Sequence, residues 1–213
     1  MKTDDLIAML ATGVEPVPPA AVRQRFQRAL AAGMGGALAL MWLEYGVRQD
    51  IGLAVALPMF WFKLAFAAVL AVSALVLVLR LGRPGMPVGR AWWGLVLPWL
   101  ALSAYALVVL WNAPPQARAD LVLGKTWLTC ALNIALVSLP AWVAAFWALR
   151  GLAPTRPAQA GACAGLLAAA MGALAYSLHC PEMQAPFLAV WYVLGMLLPT
   201  AAGAALGPRL LRW

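Results

Sequence analysis

Charge is what this chain has least of. Only 10% of its 213 residues are charged and 65% are hydrophobic, against roughly 25% charged in an ordinary soluble domain, so a water-soluble globule is excluded. Histidine is nearly absent: one imidazole, His179, cannot assemble bis-histidine haem ligation or a multi-histidine metal centre. Three cysteines, none in a Cys-x-x-Cys arrangement, argue against a quinone-linked thiol oxidase. Acidic residues number seven, and few ionisable groups fall inside apolar stretches, whereas a carrier of ions or polar solutes keeps several at mid-membrane depth. Outside the apolar blocks no stretch is long enough for an independent core.

What is present is a series of apolar blocks of the length that crosses a bilayer core of about 30 Å. Six spans are expected near Ala29 to Tyr45, Leu57 to Leu79, Ala91 to Trp111, Thr126 to Leu149, Ala160 to Leu178 and Pro186 to Leu206. The expected fold is thus all-α: a polytopic bundle of six transmembrane helices over residues 29–213, preceded by a cytoplasmic tail, residues 1–28. The tail carries Asp4, Asp5 and Glu15 and lacks the basic, apolar pattern of a cleaved signal peptide, so it is expected to be retained.

The basic residues sort by loop. Lys2, Arg23, Arg25, Arg28, Arg80, Arg83, Arg90, Arg150, Arg156, Arg209 and Arg212 fall on one side of a six-span chain, and Arg48, Arg118 and Lys125 on the other. By the positive-inside rule both termini are expected in the cytoplasm. The net charge of +8 then reports orientation rather than affinity for nucleic acid, and no direct contact with nucleic acid is expected.

Many of the eleven tryptophans lie near span ends, as an interfacial belt among the membrane lipids requires. Gly161, Gly165, Ala169 and Ala173 recur every four residues, as do Gly203 and Gly207, giving faces on which helices approach closely. Pro58, Pro98, Pro140 and Pro199 fall in or near spans, where each removes a backbone donor and can bend its helix.

Lys63 is the one basic residue inside a span. It is expected to snorkel outward or to pair with Glu44 near the same end of span one. Cys163 reads as a buried apolar residue. Cys130, one turn into span four, and Cys180, in the loop between spans five and six, share the extracytoplasmic side, where disulfides persist. They join only if the bundle brings their Cα atoms within about 7 Å, which spacing leaves open. His179, Cys180 and Glu182 place nitrogen, sulfur and oxygen donors within four residues; with Cys130, the set of Cys130, His179 and Cys180 is a candidate for transient binding of a soft metal, and a plain loop is the competing reading. No permanent cofactor is expected.

At the N-terminus, Thr3 can cap a helix whose positive first turn favours Asp4 and Asp5. Leu6, Ile7 and Leu10 form an apolar stripe that must be buried against the membrane, the protein's own cytoplasmic face or a partner. Two acids on the polar face favour a protein partner over lipid.

Thr3-Asp4-Asp5-Leu6-Ile7 with Leu10, Lys63, Trp127-Leu128-Thr129-Cys130 with Pro140, and His179-Cys180-Pro181-Glu182 leading to Phe187 and Trp191-Tyr192 together resemble the NrsF family of six-span bacterial membrane proteins, anti-sigma factors of extracytoplasmic-function (ECF) sigma factors at the inner membrane. The resemblance implies a non-enzymatic regulator whose tail (Thr3, Asp4, Asp5, Leu6, Ile7 and Leu10) grips the sigma factor. It also implies that Cys130 and Cys180 correspond to the family's cysteine pair, linked to heavy-metal or oxidative stress, with His179 and Glu182 beside them. Two other classes remain open from residues alone: a small transporter or channel subunit with Lys63 lining a path, and a membrane thiol oxidoreductase using Cys130 and Cys180.

Overall fold

The computed structural model describes residues 3–12, 18 and 20–212. Helices are the regular elements of the described residues, with no strand among them. Helix α1 runs Thr3–Ala11 and α2 Ala21–Glu44. A single turn, α3 (Ile51–Ala54), leads into α4 (Pro58–Leu81). A 3₁₀ turn, Gly89–Trp92, opens α5 (Trp93–Asn112), which is followed by α6 (Pro115–Leu123). Next come α7 (Trp127–Val137), α8 (Leu139–Leu149) and α9 (Pro157–Tyr176). Helix α10 (Ala185–Phe187) continues through a π-helical turn, Leu188–Tyr192, into α11 (Val193–Leu210). Lys2 and Glu15 lie outside the described residues.

Five stretches are long and apolar enough to cross a membrane: Pro58–Leu81, Gly89–Asn112, Pro115–Leu149, Pro157–Tyr176 and Ala185–Leu210. The expected first span lies in α2, which is not among them. Arg23, Arg25 and Arg28 occupy its first two turns and Glu44 its end, and the 15 uncharged residues between Arg28 and Glu44 extend only about 23 Å at 1.5 Å per residue. Span four is two helices, because the chain breaks at Ser138 and restarts with Pro140 in the first turn of α8, where a missing N–H costs nothing.

Helix α9 is the centre of the bundle. Nearly all of its residues from Ala160 to Tyr176 are buried, and small side chains let α11 lie directly against it. A Cβ on Gly161 would strike the carbonyl of Gly203, one on Gly165 the carbonyl of Pro199, and one on Gly207 the carbonyl of Pro157. The small-residue faces are therefore a contact within one chain, held by close backbone packing. The outward surfaces are apolar: Trp42, Leu43, Trp61, Val72, Leu107, Trp111, Leu128, Leu132 and Val143 are all exposed. An apolar rim around an apolar core is the pattern of a membrane protein rather than of a soluble bundle.

Candidate functional site: a buried thiol pair

Four segments converge at one end of the bundle: the start of α7, the start of α4, the π turn, and the loop that follows α9. That loop folds back over the end of the bundle and buries Cys180 in the same apolar core cluster as Cys130. Both cysteines are fully buried and free, and their thiols influence one another electrostatically. The Cys130 thiol holds Cys180 below the ordinary thiol range, and the positive charge of Lys63 adds to the effect. The hydroxyl of Tyr192 also influences Cys180 and lies 3.5 Å from that of Ser177.

Lys63 does not pair with Glu44. Its side chain has no exposed surface, and its Nζ donates to the backbone carbonyls of Cys180 at 3.0 Å and Glu182 at 3.2 Å, 5.4 Å from the centre of the Tyr192 ring. Glu44 is exposed. Neither the expected ion pair nor outward snorkelling occurs, because the returning loop puts two carbonyls within closer reach of the ammonium than any carboxylate on α2. The ammonium thus holds the loop that follows α9 against the start of α4.

Glu182 is 8% exposed. Its Oε1 accepts the backbone N–H of Lys125 at 2.7 Å and that of Thr126 at 3.2 Å, with the Thr126 hydroxyl at 3.3 Å. Helix α7 has no acid in its first turn and no side-chain cap of its own; a carboxylate from another loop binds the two N–H groups just ahead of it and sits at the positive end of its dipole. Gly124 precedes it with φ +58°, where a Cβ would meet both Glu182 and Phe187; only glycine tolerates that backbone and that crowding. The sequence signal for this cap was the bare, acid-free start of α7, which left its donors to be met from elsewhere.

Arg48 completes the frame. Its guanidinium makes two hydrogen bonds to Asp50, at 2.6 and 2.7 Å, and donates at 3.3 Å to the Cys180 carbonyl, while its backbone N–H bonds the carbonyl of Leu178. Arg48 and Asp50 thus form an ion pair. It keeps the Asp50 carboxyl below its usual range, through the hydrogen bond from Arg48.

His179 is turned elsewhere. Its Nδ1 lies 3.1 Å from the carbonyl of Gly46, and its ring packs between Tyr45 and Tyr176. Asn133 links those two tyrosines, accepting from the Tyr45 hydroxyl and donating to the Tyr176 hydroxyl, both at 3.1 Å. Among the described residues no group of three His, Cys, Asp or Glu side chains is placed to hold a metal ion: the ring of His179 and the carboxylate of Glu182 are engaged by other partners. The two thiols stand together without them.

The opposite end is arginine-rich. Arg25 at the start of α2 donates to the carbonyl of Trp147 at 2.6 Å and lies 4.5 Å over its ring, and Arg150 donates to the carbonyl of Leu210. Thr3 opens the described part of α1, with Asp4 and Asp5 in its first turn. None of its residues is buried: Leu6 is 37%, Ile7 59% and Leu10 66% exposed.

The profile of the NrsF family, described as negative regulator of sigma F, matches residues 10–213. A protein of Azospira oryzae named probable anti-sigma-F factor NrsF is 47% identical over 213 residues, covering the whole of both chains. The anti-sigma-F factor NrsF of Caulobacter vibrioides is 39% identical over 225 residues, again with full coverage of both. Both alignments therefore include α1, most of which lies ahead of the profile match. No solved structure matches. On the profile and on both full-length alignments, the chain belongs to the NrsF family of negative regulators of sigma F.

Proposed function

We propose that this protein is a membrane-bound anti-sigma factor of six spans, α2 supplying the first, with both termini in the cytoplasm of a bacterial cell and the thiol pair at the extracytoplasmic end of the inner membrane. Helix α1 grips an ECF-type sigma factor through Asp5, Leu6 and Leu10, flanked by Thr3, Asp4 and Ile7, and keeps it from RNA polymerase. The observation that carries this is the exposed apolar stripe of α1 in a family member whose relatives are named anti-sigma factors. An amphipathic helix with no buried face is a ligand for a groove on a partner.

Release begins at Cys130 and Cys180. A two-electron oxidant removes two electrons and two protons from the thiols and leaves a disulfide; a soft divalent metal ion displaces the protons and binds the two sulfurs. Either product favours a different packing of α7 against the loop after α9, and a signal shifts an equilibrium only by its differential affinity for the two states. Moving a population from 1:99 to 99:1 takes about 5.5 kcal/mol, within the range of a thiolate-bound metal. The displacement passes along α7 and α8 to Trp147, and from there to Arg25 and the segment that leads to α1.

The test is a sigma-dependent transcription reporter in cells carrying the protein. Wild type should respond to cadmium or diamide, and the double variant Cys130→Ala, Cys180→Ala should stay repressed. Normal induction of the double variant removes the thiols from the mechanism.

A further inference from the structure

Between the start of α2 and the end of α8 lies a cavity of about 340 Å³, lined by Arg25, Arg28, Trp147 and Gly151, with Val22 and Leu152 as apolar walls. Arg25 and Arg28 share one face of α2 and stand about 4.5 Å apart along its axis. No carboxylate is among the described residues that line the cavity. The guanidinium of Arg25 is held by dipoles: its Nη2 donates to the carbonyl of Trp147 at 2.6 Å, it lies 4.5 Å over the indole, and its buried Nε has no hydrogen-bond partner. Gly151 makes room for it, since a Cβ there would meet the guanidinium carbon at 2.6 Å. The fold therefore gathers positive charge in this recess without neutralising it there.

We infer that this cavity binds the phosphodiester of an anionic phospholipid, Arg28 bonding a phosphate oxygen and Arg25 supplying a second, fixed positive charge. Guanidinium groups suit phosphate because their donors match its oxygens in pairs, and basic recesses between spans take anionic headgroups. The surroundings favour a lipid over a free anion. Leu139, Val143 and Trp147 recur every four residues on α8 and are 51%, 64% and 48% exposed. They form an apolar stripe that ends at the cavity, and an acyl chain can lie along it beneath the headgroup. Exposed tryptophan marks the edge of the hydrocarbon, the depth at which lipid phosphates begin. A zwitterionic headgroup would bring a cation as well, for which the described lining offers no carboxylate. The inference goes beyond the regulatory reading and rests on the chain being a membrane protein.

The experiment is native mass spectrometry of the full-length protein in detergent, titrated separately with phosphatidylglycerol and with phosphatidylcholine of the same acyl chains, reading the dissociation constant of the first lipid bound. Wild type should bind phosphatidylglycerol about tenfold tighter than phosphatidylcholine, the strength of one charge-assisted hydrogen bond. Arg28→Gln should remove most of that preference. Arg23→Gln takes the same charge from the first turn of α2, outside the cavity lining, and should keep it. Gly151→Ala, which displaces the Arg25 guanidinium without changing the net charge, should also weaken phosphatidylglycerol; an unchanged affinity overturns the part given to Arg25. Equal loss in Arg23→Gln and Arg28→Gln, or no preference in wild type, overturns the site and leaves only the diffuse attraction of a basic surface. Glycerol 3-phosphate at the lipid's concentration should not displace the lipid; displacement assigns the cavity to a soluble phosphate and overturns the lipid assignment. Neither a sigma factor nor a cysteine enters these readouts, so this site and the regulatory reading fail independently.

Discussion

The Oε1 atom of Glu182 lies 2.7 Å from the backbone nitrogen of Lys125, 57 residues earlier in the chain. One carboxylate thereby ties the loop that carries Cys180 to the helix that carries Cys130, and the geometry of the thiol pair depends on it.

Replacing Glu182 with Ala leaves the N–H groups of Lys125 and Thr126, at the entry to α7, unsatisfied in a nearly dry site. Loss of a helix N-cap costs about 0.5–2 kcal/mol, and the burial of Glu182 puts this one in the upper half. The check is thermal unfolding in detergent followed by tryptophan fluorescence. Glu182→Gln, which keeps one acceptor, should recover part of the loss.

The clasp of Arg48 on Asp50 gives the thiol-bearing end a pH dependence of known sign. Because the Asp50 carboxyl is held below its ordinary range by the Arg48 hydrogen bond, the stabilisation is present in full above the unfolded value of about 3.9 and is lost as pH falls through the lower folded value. Limited proteolysis of the Gly46–Leu57 segment should therefore rise below about pH 4 in wild type. In Asp50→Asn it should already be raised at neutral pH and change little with acid.

Gly161→Leu should disrupt the bundle. Its first side-chain carbon would meet the Gly203 carbonyl and the Gly207 Cα at 2.9 Å, and neither backbone can yield without separating α9 from α11. Overpacking of this kind costs about 1–3 kcal/mol or more. Membrane-inserted yield and detergent melting temperature should both fall. Gly35→Ala, at a position with open space around it, serves as the control and should melt like wild type.

How far the amino-acid order announces this structure differs by feature. Hydropathy places most of the long helices within a few residues, α2 excepted, which starts eight residues ahead of the expected span, because an apolar block bounded by charge has few other fates in a bilayer. The four-residue recurrence at Gly161 and Gly165, and at Gly203 and Gly207, marked the faces on which α9 and α11 meet, although only the packed chain shows that they meet each other. The thiol end was harder to read. Lys63 was matched to Glu44 by counting depth along spans, but its partners are main-chain carbonyls of Cys180 and Glu182, which carry no sequence signature and arrive through the return path of a loop. His179 and Glu182 stand near Cys180 in the chain and serve other partners in space, so adjacency in sequence overstated a shared ligand set. The shortfall of α2 in apolar length traces to the arginines in its first turns, the residues that also marked its side of the membrane.

The central claim is that α1 is the handle by which this protein holds its sigma factor, and equilibrium binding of purified sigma F to the full-length protein in nanodiscs tests it most directly. Reduced wild-type protein should bind, and Leu6→Asp, which places a charge in the middle of the exposed stripe of α1, should weaken binding by at least about tenfold, or 1.4 kcal/mol, with the membrane domain unchanged in melting temperature. Equal affinity of the Leu6→Asp protein and wild type would contradict it.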